Sequence, residues 1–219
     1  TGWVQVLLIM VISSIAATSV ALGLDKGVRR LSQLNVVLAM ALLGFVLVVG
    51  PSVFIAEGMV QSVGDYLNAL PWLSFWTETF NDSDWQRRWT LFYWAWTISW
   101  APYVGIFIAR ISRGRTIREF VFAVLFAPTA FSLLWFAVFG GTAMHEELVG
   151  TGGISSLVMS DVTTSLFALM DRMPLGPVLN LACLSLIFVF LVTSVDSATY
   201  VLGMLTSNGS QDPPMYRKV

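Results

Sequence analysis

Hydrophobic positions along this chain run in long unbroken tracts rather than in alternation. Five tracts contain no Asp, Glu, Lys or Arg: residues 1–24, 31–56, 89–109, 120–144 and 173–195. A helix rises about 1.5 Å per residue, so about 20 apolar residues cross the hydrocarbon core of a bilayer. Every tract reaches that length, and none shows the period of two that marks a barrel strand. Without water in the hydrocarbon, backbone polar groups must be satisfied inside their own segment, which points to helices. The pattern predicts five membrane-spanning helices over about 3–22, 35–55, 89–109, 120–140 and 176–205, within a single all-α transmembrane domain covering 1–219.

The connections are read from their punctuation. GLDKGVRRLSQLN, residues 23–35, predicts a tight turn. Gly50-Pro51 lies near the end of the second span, where a helix should stop or kink. Residues 57–86 are too polar to span, but Met59, Val63, Tyr66, Leu67 and Leu70 recur at helical spacing. They predict an interfacial amphipathic helix over about 57–76, with Trp72, Phe75 and Trp76 at headgroup level. ARISRGRTIREF, residues 109–120, predicts a basic connection with a short helix starting near Thr116, and Gly140-Gly141 marks the end of the fourth span. Residues 142–172 predict a helical hairpin or cap on the outer side.

Composition confirms the class and charge adds a direction. The chain is 56% hydrophobic and 11% charged with a mean hydropathy of +0.76, whereas soluble domains are about a quarter charged. Lys26, Arg29, Arg30, Arg110, Arg113, Arg115, Arg118, Arg217 and Lys218 all fall on one side of the five spans, out of 12 basic residues. The positive-inside rule makes that side cytoplasmic, so the N-terminus lies outside and the C-terminus inside, as in a multi-pass protein of the cell membrane. The opposite connections carry the acids Glu57, Asp65, Glu78, Asp82, Asp84, Glu146, Glu147, Asp161 and Asp171. Thr1 enters a span with neither an initiator methionine nor a basic leader, which reads as the interior of a longer chain. The single cysteine, Cys183, lies inside a span and makes no internal disulfide. No nucleic-acid partner is expected.

The candidate chemistry concentrates in WTLFYWAWTISWAP, residues 89–102. On a helix, Trp89, Tyr93, Trp96, Trp100, Tyr103 and Phe107 form one stripe. One explanation is an aromatic belt plus packing, since tryptophan favours membrane interfaces. The other is a recognition surface for an organic cation, because aromatic faces supply the negative potential that a quaternary ammonium needs when it leaves water. Pro102 removes a backbone donor within the span, as discontinuous transporter helices do near their sites. An ordinary proline kink would look the same.

FYWAWTISWAPYVGIFIARISRGRTIREF, residues 92–120, resembles the signature of the betaine/choline/carnitine transporter family. GLDKGVRRLSQLN, a span ending VVGP and TSVDSATYVLG in the last span resemble that family in the same order. The resemblance implies a core of two inverted five-helix repeats, LeuT-like, of which this chain would hold the sixth to tenth helices. It implies secondary transport of osmolytes by alternating access, with the remainder of the chain, the lipid bilayer and a homotrimer as partners. It makes Trp96 and Trp100 the aromatic wall of the substrate pathway, with Phe92, Tyr93 and Trp94 as weaker candidates. Where the family reads WAWWISW this chain reads WAWTISW, so Thr97 stands in place of a tryptophan that typically contacts a trimethylammonium group. That departure points towards a smaller or less methylated zwitterion, or a sulfonium, beside the quaternary substrate.

By the same resemblance, Phe190, Thr193 and Ser194 match positions of one sodium site and Tyr103 an aromatic position of the other. Na⁺ is then the coupling ion, with sodium-independent substrate/product exchange as the alternative and no other cofactor. A receptor or osmosensor that binds the same ligand without moving it is an alternative of another class. Asp196 is an acid near the hydrocarbon, for which a structural or gating contact with Arg110 or Arg113 is expected in preference to proton transport. The lone His145, beside Glu146 and Glu147, reads as a solvated loop residue because a metal needs further ligands at set spacings. No nucleophile elbow or phosphate loop supports catalysis.

Overall fold

The computed structural model describes residues 2–21, 29–81 and 83–207. The turn at 23–28, Asp82 and the tail with Arg217 and Lys218 lie outside the described residues. Among the described residues eight α-helices follow in order: α1 Gly2–Ala21, α2 Arg29–Val49, α3 Ser52–Phe75, α4 Phe92–Ile111, α5 Ile117–Leu148, α6 Ile154–Ser160, α7 Ser165–Asp171 and α8 Gly176–Thr206. A π-helical turn, Gln86–Leu91, runs directly into α4, and a 3-10 turn, Val162–Thr164, precedes α7. Among the described residues there is no strand.

Four helical stretches are long and apolar enough to cross a membrane: Arg30–Val49, Gln86–Arg110, Ile117–Leu148 and Gly176–Thr206. The expectation of five spans thus meets four among the described residues. In α1 the apolar stretch counted, Gly2–Ile15, is shorter than that.

The chain divides into two compact units, one of Thr1–Ala56 with Ser132–Val219 and the other of Glu57–Phe131. In the first, α8 packs against α1, α2 and α7. Its core joins Leu42, Leu43 and Val46 of α2 to Val138 and Phe139 of α5, Leu169 and Met170 of α7, and Leu179 and Cys183 of α8. Ile154 of α6 closes the same cluster, and residues 142–172 hold the end of α5 followed by two short helices.

The corner between α2 and α3 follows from three residues. Pro51 has no N–H to give the carbonyl of Leu47, so α2 stops at Val49. The Ser52 hydroxyl supplies the missing donor, reaching the Leu47 oxygen at 2.6 Å. The glycine pair at 140–141 does not end α5, which continues to Leu148. A Cβ on Gly141 would lie 3.4 Å from Cγ1 of Ile55, so this glycine is where the start of α3 meets α5.

The start of α5 is a capping box: the Thr116 N–H and hydroxyl both donate to Glu119 Oε2 at 2.9 Å, and the Glu119 N–H returns to the Thr116 hydroxyl. The short helix expected near Thr116 is therefore the first turn of α5 itself. In the cap, Glu147 Oε2 accepts the N–H groups of Ile154 at 2.7 Å and Ser155 at 3.2 Å. Glu146 Oε1 accepts the Thr151 N–H at 3.1 Å and faces Arg172 at 3.5 Å. His145 is half-buried with its ring edge-on to Phe54, centroids 5.2 Å apart. Among the described residues no cluster of His, Cys, Asp and Glu is arranged to hold a metal.

Candidate functional site

In the unit Glu57–Phe131, α4 carries the aromatic tract on a continuous helix through Pro102. Ring contacts follow the spacing read from the sequence. Trp89 and Tyr93 stack with centroids 6.0 Å apart and planes 8° from parallel, and Tyr93 and Trp96 follow at 6.1 Å and 5°. Phe92 stands edge-on to Trp96 at 5.6 Å, and Trp100 stacks on Tyr103 at 5.9 Å. Stacks along a helix use the i, i+3 and i, i+4 neighbours, which fixes ring orientation without a partner helix.

Phe92, Tyr93, Trp94, Trp96 and Trp100 are all about half exposed or more. Trp89, Tyr93, Trp96 and Trp100 thus form an aromatic stripe along one side of α4 and the turn before it, with Phe92 and Trp94 flanking it, an electron-rich surface of the kind that holds a cation within about 6 Å of a ring centroid. Thr97 interrupts that surface with oxygen. Its hydroxyl donates to the Tyr93 carbonyl at 2.7 Å, so its lone pairs, not its proton, face outward. The Ser99 hydroxyl is likewise given to the Trp96 carbonyl at 2.9 Å.

The sodium candidates on α8 belong to the other unit. Thr193 donates to the carbonyls of Val189 and Phe190, both at 3.0 Å, while its own carbonyl accepts the Ser197 hydroxyl at 2.9 Å. Ser194 and Phe190 are exposed and Thr193 half-buried. The hydroxyls of Thr193 and Ser194 lie on one turn of α8 and offer hard oxygen ligands, enough for part of a cation's shell. Asp196 is fully enclosed in the interior of α8, which runs on to Thr206. Arg110 is half-buried in the last turn of α4, and Arg113 is exposed in the turn that follows. Tyr103 is half-buried against Trp100.

Sequence reasoning missed how the entrance to α4 is held. Glu78 and Gln86 bond across the loop before the helix, reaching eight and ten residues along the chain. The usual capping signal places its partner three residues away, so no local pattern announces these two.

Comparison with known proteins places the molecule. The chain is 44% identical to the ectoine/glycine betaine/proline transporter of Corynebacterium glutamicum over 99% of its own length and 36% of that protein's. It is 46% identical to the glycine betaine transporter of Bacillus subtilis over 96% of this chain and 41% of the relative. With the glycine betaine/proline/choline transporter of Vibrio parahaemolyticus it shares 40% over 100% of this chain and 39% of the relative. The chain therefore spans less than half the length of these relatives. The family model described as betaine/carnitine/choline family transporter matches residues 1–219, and the chain belongs to that family of membrane transporters.

Proposed function

We propose that this chain forms part of a secondary active transporter of betaine-like osmolytes, quaternary ammonium or zwitterionic, that works by alternating access and is coupled to sodium. The observation that carries the reading is the column of exposed rings on α4, in a chain whose relatives are named for glycine betaine, proline, choline and ectoine. The rings replace water around the cationic end of the substrate. The oxygens of Thr193 and Ser194 contribute, with Phe190, to one sodium site, and Tyr103 matches an aromatic position of the other. Arg110, Arg113 and Asp196 act at the cytoplasmic gate, and Pro102 marks the local break in the α4 hydrogen-bond ladder. A LeuT-like inverted repeat, an outward N-terminal end and assembly as a homotrimer belong to the same proposal.

Thr97 favours a second reading of the substrate. A hydroxyl that has given its proton to Tyr93 offers an acceptor, which suits an ammonium bearing N–H. Proline carries such hydrogens and a trimethylammonium group does not. The test is uptake of radiolabelled glycine betaine and proline by the full-length chain in proteoliposomes, with and without an inward sodium gradient, in wild type and Thr97→Trp. Sodium-driven uptake of betaine by wild type supports the leading reading. Proline uptake by wild type, with betaine gained only in Thr97→Trp, supports the second. Uptake of neither under any gradient, with or without internal substrate, overturns both.

A further inference from the structure

The loop before the aromatic helix is organised around one carboxylate. Glu78 accepts the Ser83 hydroxyl, the Trp85 N–H at 3.1 Å and the Gln86 N–H at 2.8 Å. Those amides open the helical run into α4, where backbone donors have no partner inside the helix and the dipole favours negative charge. Gln86 answers in the other direction, its Nε2 donating to the Trp76 carbonyl at 2.6 Å. The Trp85 ring lies 5.4 Å from Trp76, which stacks on Trp72 of α3 at 5.7 Å. The loop is thus clasped from both ends.

The backbone shows that the clasp is under tension. Glu78 and Asp84, neither of them glycine, both have φ of 59°, in the left-handed region where Cβ crowds the carbonyl. Such residues persist where their surroundings over-determine them, and they gather at functional sites. Asp84 is further tied to Arg87 at 2.6 Å. Immediately afterwards comes the π-helical turn Gln86–Leu91. One turn of i→i+5 bonding inserts about one residue relative to an α-helix, which rotates everything downstream by about 100°.

We propose that Glu78 is a positioning residue for substrate: by fixing where the helix starts and holding the π turn, its carboxylate sets the direction in which Trp96, Thr97 and Trp100 face. The proposal rests on the reading of α4 as the substrate-lining helix. Without the clasp, the first turn relaxes to ordinary α-helical bonding and the aromatic stripe turns away from its ligand. The loss falls on substrate affinity while the rings themselves remain intact.

The experiment compares Glu78→Ala, Glu78→Gln and Glu78→Asp in the full-length chain in proteoliposomes, with three readouts. Amide hydrogen exchange at Trp85 and Gln86 reports the clasp. The labelling rate of Thr97→Cys by a thiol reagent, in a background with every other cysteine of the full-length chain replaced, reports the direction of the face. The KM and maximal rate of osmolyte uptake report the consequence. We expect Glu78→Ala to speed exchange at least 10-fold, shift the labelling rate several-fold and raise KM about 10-fold with maximal rate changed less than 2-fold, and Glu78→Asp to restore part of each. Unchanged exchange, or faster exchange with labelling as in the Thr97→Cys parent and KM as in wild type, overturns the proposal. If wild type takes up no osmolyte, the transport reading falls, and Thr97→Cys labelling in Glu78→Ala against its parent still decides whether Glu78 sets the face.

Discussion

Thr193 shows how much one hydroxyl is asked to do. It bridges the carbonyls of Val189 and Phe190 at 3.0 Å each, yet those carbonyls also belong to the backbone ladder of α8. Thr193→Val keeps the shape and removes the oxygen, so the helix should persist while a cation loses one ligand. We predict a rise of about 10-fold in the sodium concentration for half-maximal uptake, equivalent to the loss of about 1.4 kcal/mol, read from a sodium titration in proteoliposomes; an unchanged titration removes Thr193 from the sodium site. The core offers the opposite case. Met170 is fully buried among α2, α5 and α8, and Met170→Ala should cost about 2–5 kcal/mol by cavity formation, seen as a lowered unfolding temperature in detergent. At this scale the aromatic stripe was legible, because i, i+3 and i, i+4 stacking needs only the helix it sits on. The enclosure of Asp196 was not. The sequence puts Asp196 within the predicted span but just past the charge-free tract, which ends at residue 195, and its burial comes from neighbouring helices that no local pattern records.

Punctuation decides the elements, and its two forms differ in reliability for a physical reason. Proline lacks a donor whatever surrounds it, so Pro51 ends α2 as its position foretold. Glycine merely permits a bend, and Gly141 instead uses its missing Cβ to admit Ile55. Gly141→Leu should therefore leave α5 helical and cost about 1–3 kcal/mol by overpacking the α3 contact, measurable as a lower melting temperature with unchanged far-ultraviolet circular dichroism. The entrance to α4 adds a pH dependence. The Ser83 hydroxyl, with the Gln86 N–H next, holds the Glu78 carboxyl below its ordinary 4.5. A lowered folded value means that the clasp contributes fully above about pH 4.5 and is lost as pH falls through the folded value. Protection of the Trp85 amide, corrected for intrinsic exchange, should accordingly be flat from neutral pH down to about 4.5 and fall below it; Glu78→Gln should abolish that step.

For the whole molecule, the charges separate into two kinds. Several acids that the sequence places on the outer connections are spent on local structure: Glu147 caps α6, Glu146 holds Thr151 and Arg172, and Asp161 Oδ1 accepts the Thr163 N–H at 2.9 Å. Their side of the membrane therefore says little about insertion, in keeping with a rule that counts Lys and Arg rather than net charge. Among the described basic residues, Arg113 and Arg115 lie exposed in the connection between α4 and α5. We propose that they carry the orientation, because guanidinium groups resist translocation across the hydrocarbon. In an otherwise cysteine-free background of the full-length chain in cells, Arg115→Cys should react with a membrane-impermeant thiol reagent only after the cells are opened. Thr151→Cys, in the loop after α5, should react from outside without opening them. Both results together fix α5 as crossing outward from the basic connection. The reverse pair would place that connection outside and would remove Arg110 and Arg113 from any cytoplasmic gate.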